Sequence, residues 1–130
     1  MAQQVTVDQS RRGAMNTETI RKGLRSRLAE LREESDQAAA LVSELRSDVR
    51  DEPVGDEVDM GAKASDLDRE ASIVTGLKDR IGEVRHAMER LDAGRYGWCE
   101  ECGDSIPAER LLVFPAATLC VSCKSAQEKR

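Results

Sequence analysis

The sequence predicts a mainly α-helical protein: a long antiparallel helical hairpin of the coiled-coil type, then a small C-terminal module organised around four cysteines. Three observations lead there. Two stretches of about 30 residues carry apolar or small side chains every three or four positions, with almost no helix breaker inside either. A short segment holding Pro53 and Gly55 separates them. All four cysteines, Cys99, Cys102, Cys120 and Cys123, lie near the C-terminus.

Residues 1–16 are polar, include Arg11-Arg12-Gly13 and show no apolar period, so they are expected to form a disordered tail, within which Met15 offers an alternative start. The hairpin is expected over 17–94. Its first helix runs from Thr17 to about Arg50, with Leu24, Leu28, Leu31, Ser35, Ala38, Val42, Leu45 and Val49 in the 4-3-4-3 spacing of a coiled-coil seam. The second runs from about Lys63 to Asp92 and carries Leu67, Ala71, Val74, Leu77, Ile81, Val84, Met88 and Leu91, with one irregular step between Ala71 and Leu77. Ala93-Gly94 is its stop signal. Each helix would be about 45 Å long and could not hide its apolar stripe alone. A short connection makes an antiparallel hairpin the simplest solution, and a monomer is expected; a dimeric coiled coil through the same seams is the alternative.

Cys99-Glu100-Glu101-Cys102 and Cys120-Val121-Ser122-Cys123 are two Cys-x-x-Cys turns. Two thiolates three positions apart can face one ion, and two such pairs complete a tetrahedron. Gly103 suits the positive φ that follows such a turn. Four sulfurs with no fifth candidate point to one structural Zn2+ per chain, with iron in the same cage as the other reading. A redox pair, or disulfides in a secreted protein, would also use paired cysteines, but redox exchange does not need two motifs in register and the N-terminus shows no apolar signal core. With one Trp, one Tyr and one Phe in 130 residues, the chain has few large side chains for a core, and Tyr96, Trp98 and Phe114 all lie near the cysteines in sequence. A zinc-finger module over 95–130, ending in a helix, is therefore expected to depend on its metal, which supplies on the order of 10–16 kcal/mol in such cases.

The turn between the helices, about 51–62, is acidic. From Glu44 to Glu70 there are ten acidic and four basic residues, whereas the whole chain has a net charge of −5. Negative charge is thus concentrated at the tip, opposite the cysteines in the hairpin expected here. As a solvated turn it would need no function, with Asp59 serving as the N-cap of the second helix. Carried on a stiff rod, it also suits entry into a basic or metal-containing cavity.

The order helix, acidic turn, helix, then Tyr96-Gly97-Trp98-Cys99-Glu100-Glu101-Cys102-Gly103 and Pro115-Ala116-Ala117-Thr118-Leu119-Cys120-Val121-Ser122-Cys123 resembles the DksA/TraR family of bacterial RNA polymerase regulators. The resemblance covers about residues 17–127. It implies a cytoplasmic, non-enzymatic stress-response regulator that binds RNA polymerase, passes its hairpin through the secondary channel and places the tip near the catalytic centre, shifting the stability of promoter complexes. The family's tip pattern Asp-x-x-Asp-x-Ala falls on Asp56, Asp59 and Gly61, so both aspartates match while glycine replaces the alanine. The family's contacts to the alarmone guanosine tetraphosphate fall on Glu83, Phe114 and Lys124. Only Lys124 keeps the positive charge, so alarmone dependence is expected to be weak or absent.

Other functions fit less well. Direct DNA binding is not expected, because Glu100, Glu101, Asp104 and Glu109 outnumber Arg110 and Lys124 over the cysteine-bearing stretch from Cys99 to Lys124 and leave no basic stripe there. No run approaches the roughly 20 apolar residues of a membrane span, so no membrane association is expected. A structural coiled-coil zinc adaptor and a transcript-cleavage-type factor remain the alternatives. The single histidine, His86, is read as solvent-facing filler, and Arg21, Lys22, Arg25, Arg27 and Arg32 as a solvated basic face that could also help docking.

Overall fold

A computed structural model of the protein describes the backbone of residues 2–51 and 57–129, and the side-chain surroundings of 17–48 and 61–129. Its elements are α1 (Ala2–Asp51), α2 (Glu57–Asp92), α3 (Ala108–Val113) and α4 (Val121–Glu128). The two long helices pack as a hairpin, and the described residues form no strand beyond an isolated antiparallel bridge between Trp98 and Ser105.

Among the described residues the expected seams are the buried stripes; the side chain of Val49 lies outside those residues. On α1, Leu24, Leu31, Ser35 and Val42 are buried and Leu28, Ala38 and Leu45 half-buried, while the intervening charged positions from Lys22 to Asp48 are exposed. On α2, Leu77 and Val84 are buried and Leu67, Ala71, Val74, Ile81, Met88 and Leu91 half-buried. Ala87, outside the expected seam, is fully buried as well. With one methyl group it adds little to an apolar pattern, although it is placed to let a neighbouring element approach α2 closely.

Helix bounds differ from expectation at two starts. α1 begins at Ala2 rather than near Thr17, and the expected disorder of 1–16 falls on residues whose side chains lie outside the described ones. α2 begins at Glu57, so Asp59 lies in its first turn instead of capping it. Acidic residues favour that first turn because the exposed N–H groups make a helix N-terminus positive, and Glu57 and Asp59 extend the helix upstream of the apolar period. At the other end α2 stops as expected. Gly94 takes φ 74°, its N–H bonds the Leu91 carbonyl at 3.1 Å, and the Arg95 N–H reaches the Arg90 carbonyl at 2.7 Å. This is a Schellman closure, and it requires a residue tolerant of positive φ.

The chain separates into two compact units, 1–28 with 83–130, and 29–82. The second unit is a pair of helical segments held by the seam from Leu31 to Leu77. The first contains the start of the seam, the end of α2 and the four-cysteine module. Within it Arg21 donates to Asp92 at 2.9 Å, an exposed pair that fixes register more than it adds stability.

Ser35 is the one polar residue in the buried set, 8% exposed, and its hydroxyl makes no hydrogen bond among the described residues. Such a group costs desolvation without compensation, and alanine is the better helix former. Ser35→Ala is expected to raise the unfolding free energy by about 0.5–1 kcal/mol, read as a higher urea midpoint at unchanged slope.

Candidate metal centre

The first cysteine pair sits in a backbone-locked loop. The Cys99 N–H donates to the Asp104 carbonyl at 2.7 Å, the Gly103 N–H returns to the Cys99 carbonyl at 3.0 Å, and the Ile106 N–H reaches the Gly97 carbonyl at 2.7 Å. Gly97 and Gly103 take φ 90° and 79°, and Gly103 is the position where the sequence calls for positive φ. The second pair is not a free turn as expected: Cys120 is the N-cap of α4 and Cys123 lies in its first turn. Helix geometry brings residues three apart to one side, and the positive N-terminus favours thiolates there. One backbone bond, from the Glu100 N–H to the Thr118 carbonyl at 2.9 Å, ties the two halves together.

The result is a cluster in which all four Sγ atoms lie within 4.8 Å of one another, with Cys102 and Cys120 3.8 Å apart. A tetrahedral ion with zinc–sulfur bonds near 2.3 Å requires sulfurs roughly 3.8 Å apart. The donor set is all thiolate and closed, so it fits a structural zinc and leaves no position for substrate. Protons respond accordingly. Burial opposes ionising Cys99, yet backbone N–H groups at Cys102, Cys120 and Glu101 outweigh it and bring the thiol down to about 6. The sulfurs of Cys120 and Cys99 push Cys123 up to about 12. For Cys102, the Asp104 backbone favours the thiolate, but the Cys99 sulfur and burial prevail and raise it. Four crowded thiols cannot ionise together without a cation between them.

Around the sulfurs is a small shell. Ile106 is fully buried and Leu111 and Leu119 nearly so. The Tyr96 hydroxyl donates to the Pro115 carbonyl at 2.7 Å, and burial pushes its phenol up to about 12. Arg90, in the last turn of α2, donates to the Trp98 carbonyl at 2.9 Å, and Arg110 Nε donates to the Leu119 carbonyl at 3.1 Å. Of the aromatics near the cysteines, Phe114 departs from expectation: it is 57% exposed, beside Leu112 at 82% and Val113 at 70%. The reason is α3. This helix was not anticipated, although Pro107 followed by Glu109 is a start signal. It turns Leu111 inward and leaves the residues after it outside, where Phe114 takes the Arg110 guanidinium over its ring at 5.5 Å.

His86 also departs from expectation. Its Nε2 lies 3.0 and 3.1 Å from the two carboxylate oxygens of Glu100, between the first two cysteines. Nothing in the sequence spacing links positions 86 and 100. Burial would raise the Glu100 carboxyl, but hydrogen bonds from Thr118 and His86, with the charges of His86 and Arg90, hold it below the usual range. Lys124 follows Cys123 on α4 and is half-buried, its N–H on the Cys120 carbonyl at 2.9 Å. Gly61 is exposed, with open space where a Cβ would stand. The side chains of Asp56 and Asp59 lie outside the described residues.

Two measurements test the centre. Zinc must displace protons from thiols held above neutrality, so affinity measured by chelator competition is expected to tighten at least about tenfold per pH unit from pH 6 to 8, and Cys99→Ser to lose the metal and the module's ordered packing. Tyr96→Phe is expected to cost about 1 kcal/mol by leaving the Pro115 carbonyl unpaired. Because the folded phenol titrates near 12 against the ordinary 10.0, the stability tied to Tyr96 is intact below pH 10 and declines as pH rises toward 12; the Phe variant should lack that decline in alkaline denaturation.

Residues 94–129 match the family model described as the prokaryotic dksA/traR C4-type zinc finger. Relatives include the protein named RNA polymerase-binding transcription factor DksA of Caulobacter vibrioides, 35% identical over 69 residues, covering 52% of this chain and 49% of the relative. The protein of the same name in Escherichia coli (strain K12) is 28% identical over 101 residues, covering 78% of this chain and 64% of the relative. The chain thus matches about half to two thirds of the length of these curated relatives. A solved structure, that of transcription factor DksA2 from Pseudomonas aeruginosa, superposes with a TM-score of 0.70 at 31% identity, over 88% of this chain and 84% of that one. With the fold of that structure shared over nearly the whole length and the family's C4-type zinc-finger sequence at residues 94–129, the chain belongs to the DksA/TraR family.

Proposed function

We propose that this protein is a non-enzymatic transcription regulator that binds RNA polymerase in the bacterial cytoplasm, acting as a monomer. The observation that carries this reading is the likeness to transcription factor DksA2 over 88% of this chain, and curated relatives named for polymerase binding support it. The physics is compatible. A closed four-thiolate site offers no open position for catalysis. The 36-residue α2 is about 54 Å long by its rise, enough to reach into a deep channel. No helix among the described residues is long and apolar enough to cross a membrane.

In the finer mechanism we infer, the hairpin enters the secondary channel and presents Asp56 and Asp59 near the catalytic magnesium, where carboxylates could pair with basic side chains or perturb metal-bound groups. Gly61 in place of the family alanine removes one methyl contact at that tip. The zinc module stays at the entrance. Alarmone dependence is weak on this reading, since Glu83 and Phe114 are exposed and only Lys124 offers a cation at the expected positions. Arg110, the nearby guanidinium, is already committed to the Leu119 carbonyl and the Phe114 ring.

Co-purification with RNA polymerase core is the first test, and failure of the folded, zinc-loaded protein to bind would remove the proposal. If it binds, Asp56→Asn with Asp59→Asn is expected to keep binding within about threefold, a change under 1 kcal/mol, while abolishing the effect on promoter-complex lifetime. Equal loss of both would make the tip a structural element only. Adding guanosine tetraphosphate is expected to change the lifetimes little.

A further inference from the structure

We propose that His86 couples the zinc centre to helix α2, holding the last turns of α2 in place when the metal is bound and releasing them when it is not. The inference concerns residues inside one compact unit and does not rest on polymerase binding.

Glu100 is where the coupling enters. It follows Cys99 directly, and its N–H is the bond to Thr118 that joins the two halves of the metal site. Its carboxylate is therefore placed by whatever holds Cys99, Cys102, Cys120 and Cys123 together. Both carboxylate oxygens lie at hydrogen-bond distance from His86 Nε2, at 3.0 and 3.1 Å. The other ring nitrogen, Nδ1, is 3.9 Å from Glu89 Oε2 on the same helix. Thus the imidazole stands between a carboxylate of the zinc module and one of its own helix. Arg90, one turn further along α2, grips the module from the same helix through the Trp98 carbonyl. When the ion is removed, the bonds that draw the four sulfurs to one point are gone, the thiols take up protons, and the Glu100–Thr118 register loosens. Glu100 then leaves His86, and Glu89 is the partner that remains within reach. The His86–Glu100 contact is then made in one state and absent in the other, which is how a local change is transmitted. The His86–Glu100 pair is partly exposed, which keeps its contribution small, but a positional coupling needs only that the contact be made in one state and not the other.

The test uses the full-length zinc-loaded chain. His86→Ala, at an exposed position where alanine favours helix, is expected to speed zinc transfer to a competing chelator about two- to fivefold, the range a pair of this kind can supply. His86→Gln, which keeps a donor for Glu100, should stay within about twofold of the unsubstituted protein. Glu89→Ala should leave the rate unchanged. Combined with Glu100→Gln, His86→Ala should add nothing further, because both remove the same contact. Amide exchange over 83–92 should quicken on chelation in the unsubstituted protein, and should already be quick in zinc-loaded His86→Ala. As the chain has a single histidine, its ring resonances report the contact directly and should move when zinc is withdrawn. A zinc-release rate in His86→Ala equal to that of the unsubstituted protein, or full additivity with Glu100→Gln, would overturn the proposal.

Discussion

Convergence of four sulfurs on one point is the constraint from which the C-terminal third of the molecule follows. The spacing needed between sulfurs is set by the bond length to the ion, and the backbone must deliver Cys99 and Cys102 from one loop and Cys120 and Cys123 from the start of α4 to within that spacing. Every tight feature of the loop serves that delivery: the positive φ of Gly97 and Gly103, the short bond from Cys99 to Asp104, and the Glu100–Thr118 bond that joins the halves. Apolar packing is a minor partner here. Ile106, Leu111 and Leu119 with Tyr96 form a core too small to hold such a fold by itself.

The same economy explains why polar side chains hold the module together and tie it to α2. Arg90 caps the Trp98 carbonyl, Arg110 the Leu119 carbonyl, Tyr96 the Pro115 carbonyl, and His86 meets Glu100. Loops between metal ligands leave carbonyls without helix or sheet partners, and in a small module some of these are partly buried. Long cationic side chains from the adjacent helices satisfy them. This fixes orientation, which a few apolar contacts alone would specify poorly.

Along the hairpin the logic is different. Stability there comes from a narrow stripe, and Ser35 in that stripe shows that the packing is not optimised for stability alone. The acidic residues around the tip repel one another, so negative charge is kept there in spite of its cost to the helices. On the function proposed above, that concentration is part of what makes the tip, rather than the helix faces, the element offered to the partner.

Periodicity and spacing were enough for the hairpin seams, the stop at Gly94, the positive φ of Gly103 and the grouping of four cysteines, because each depends on residues near one another in the chain or on a repeat that the helix imposes. The resemblance that led to Asp56 and Asp59 was likewise read from local motifs, though their side chains lie outside the described residues. What only the tertiary structure decided is what depends on approach between distant segments. His86 reads as filler until the loop that bears Glu100 folds back on α2, Ala87 reads as neutral until an element packs against its one methyl, and Phe114 reads as core until α3 rotates Leu111 into its place. A one-dimensional pattern records which face a residue occupies on its own helix; it does not record what is brought against that face.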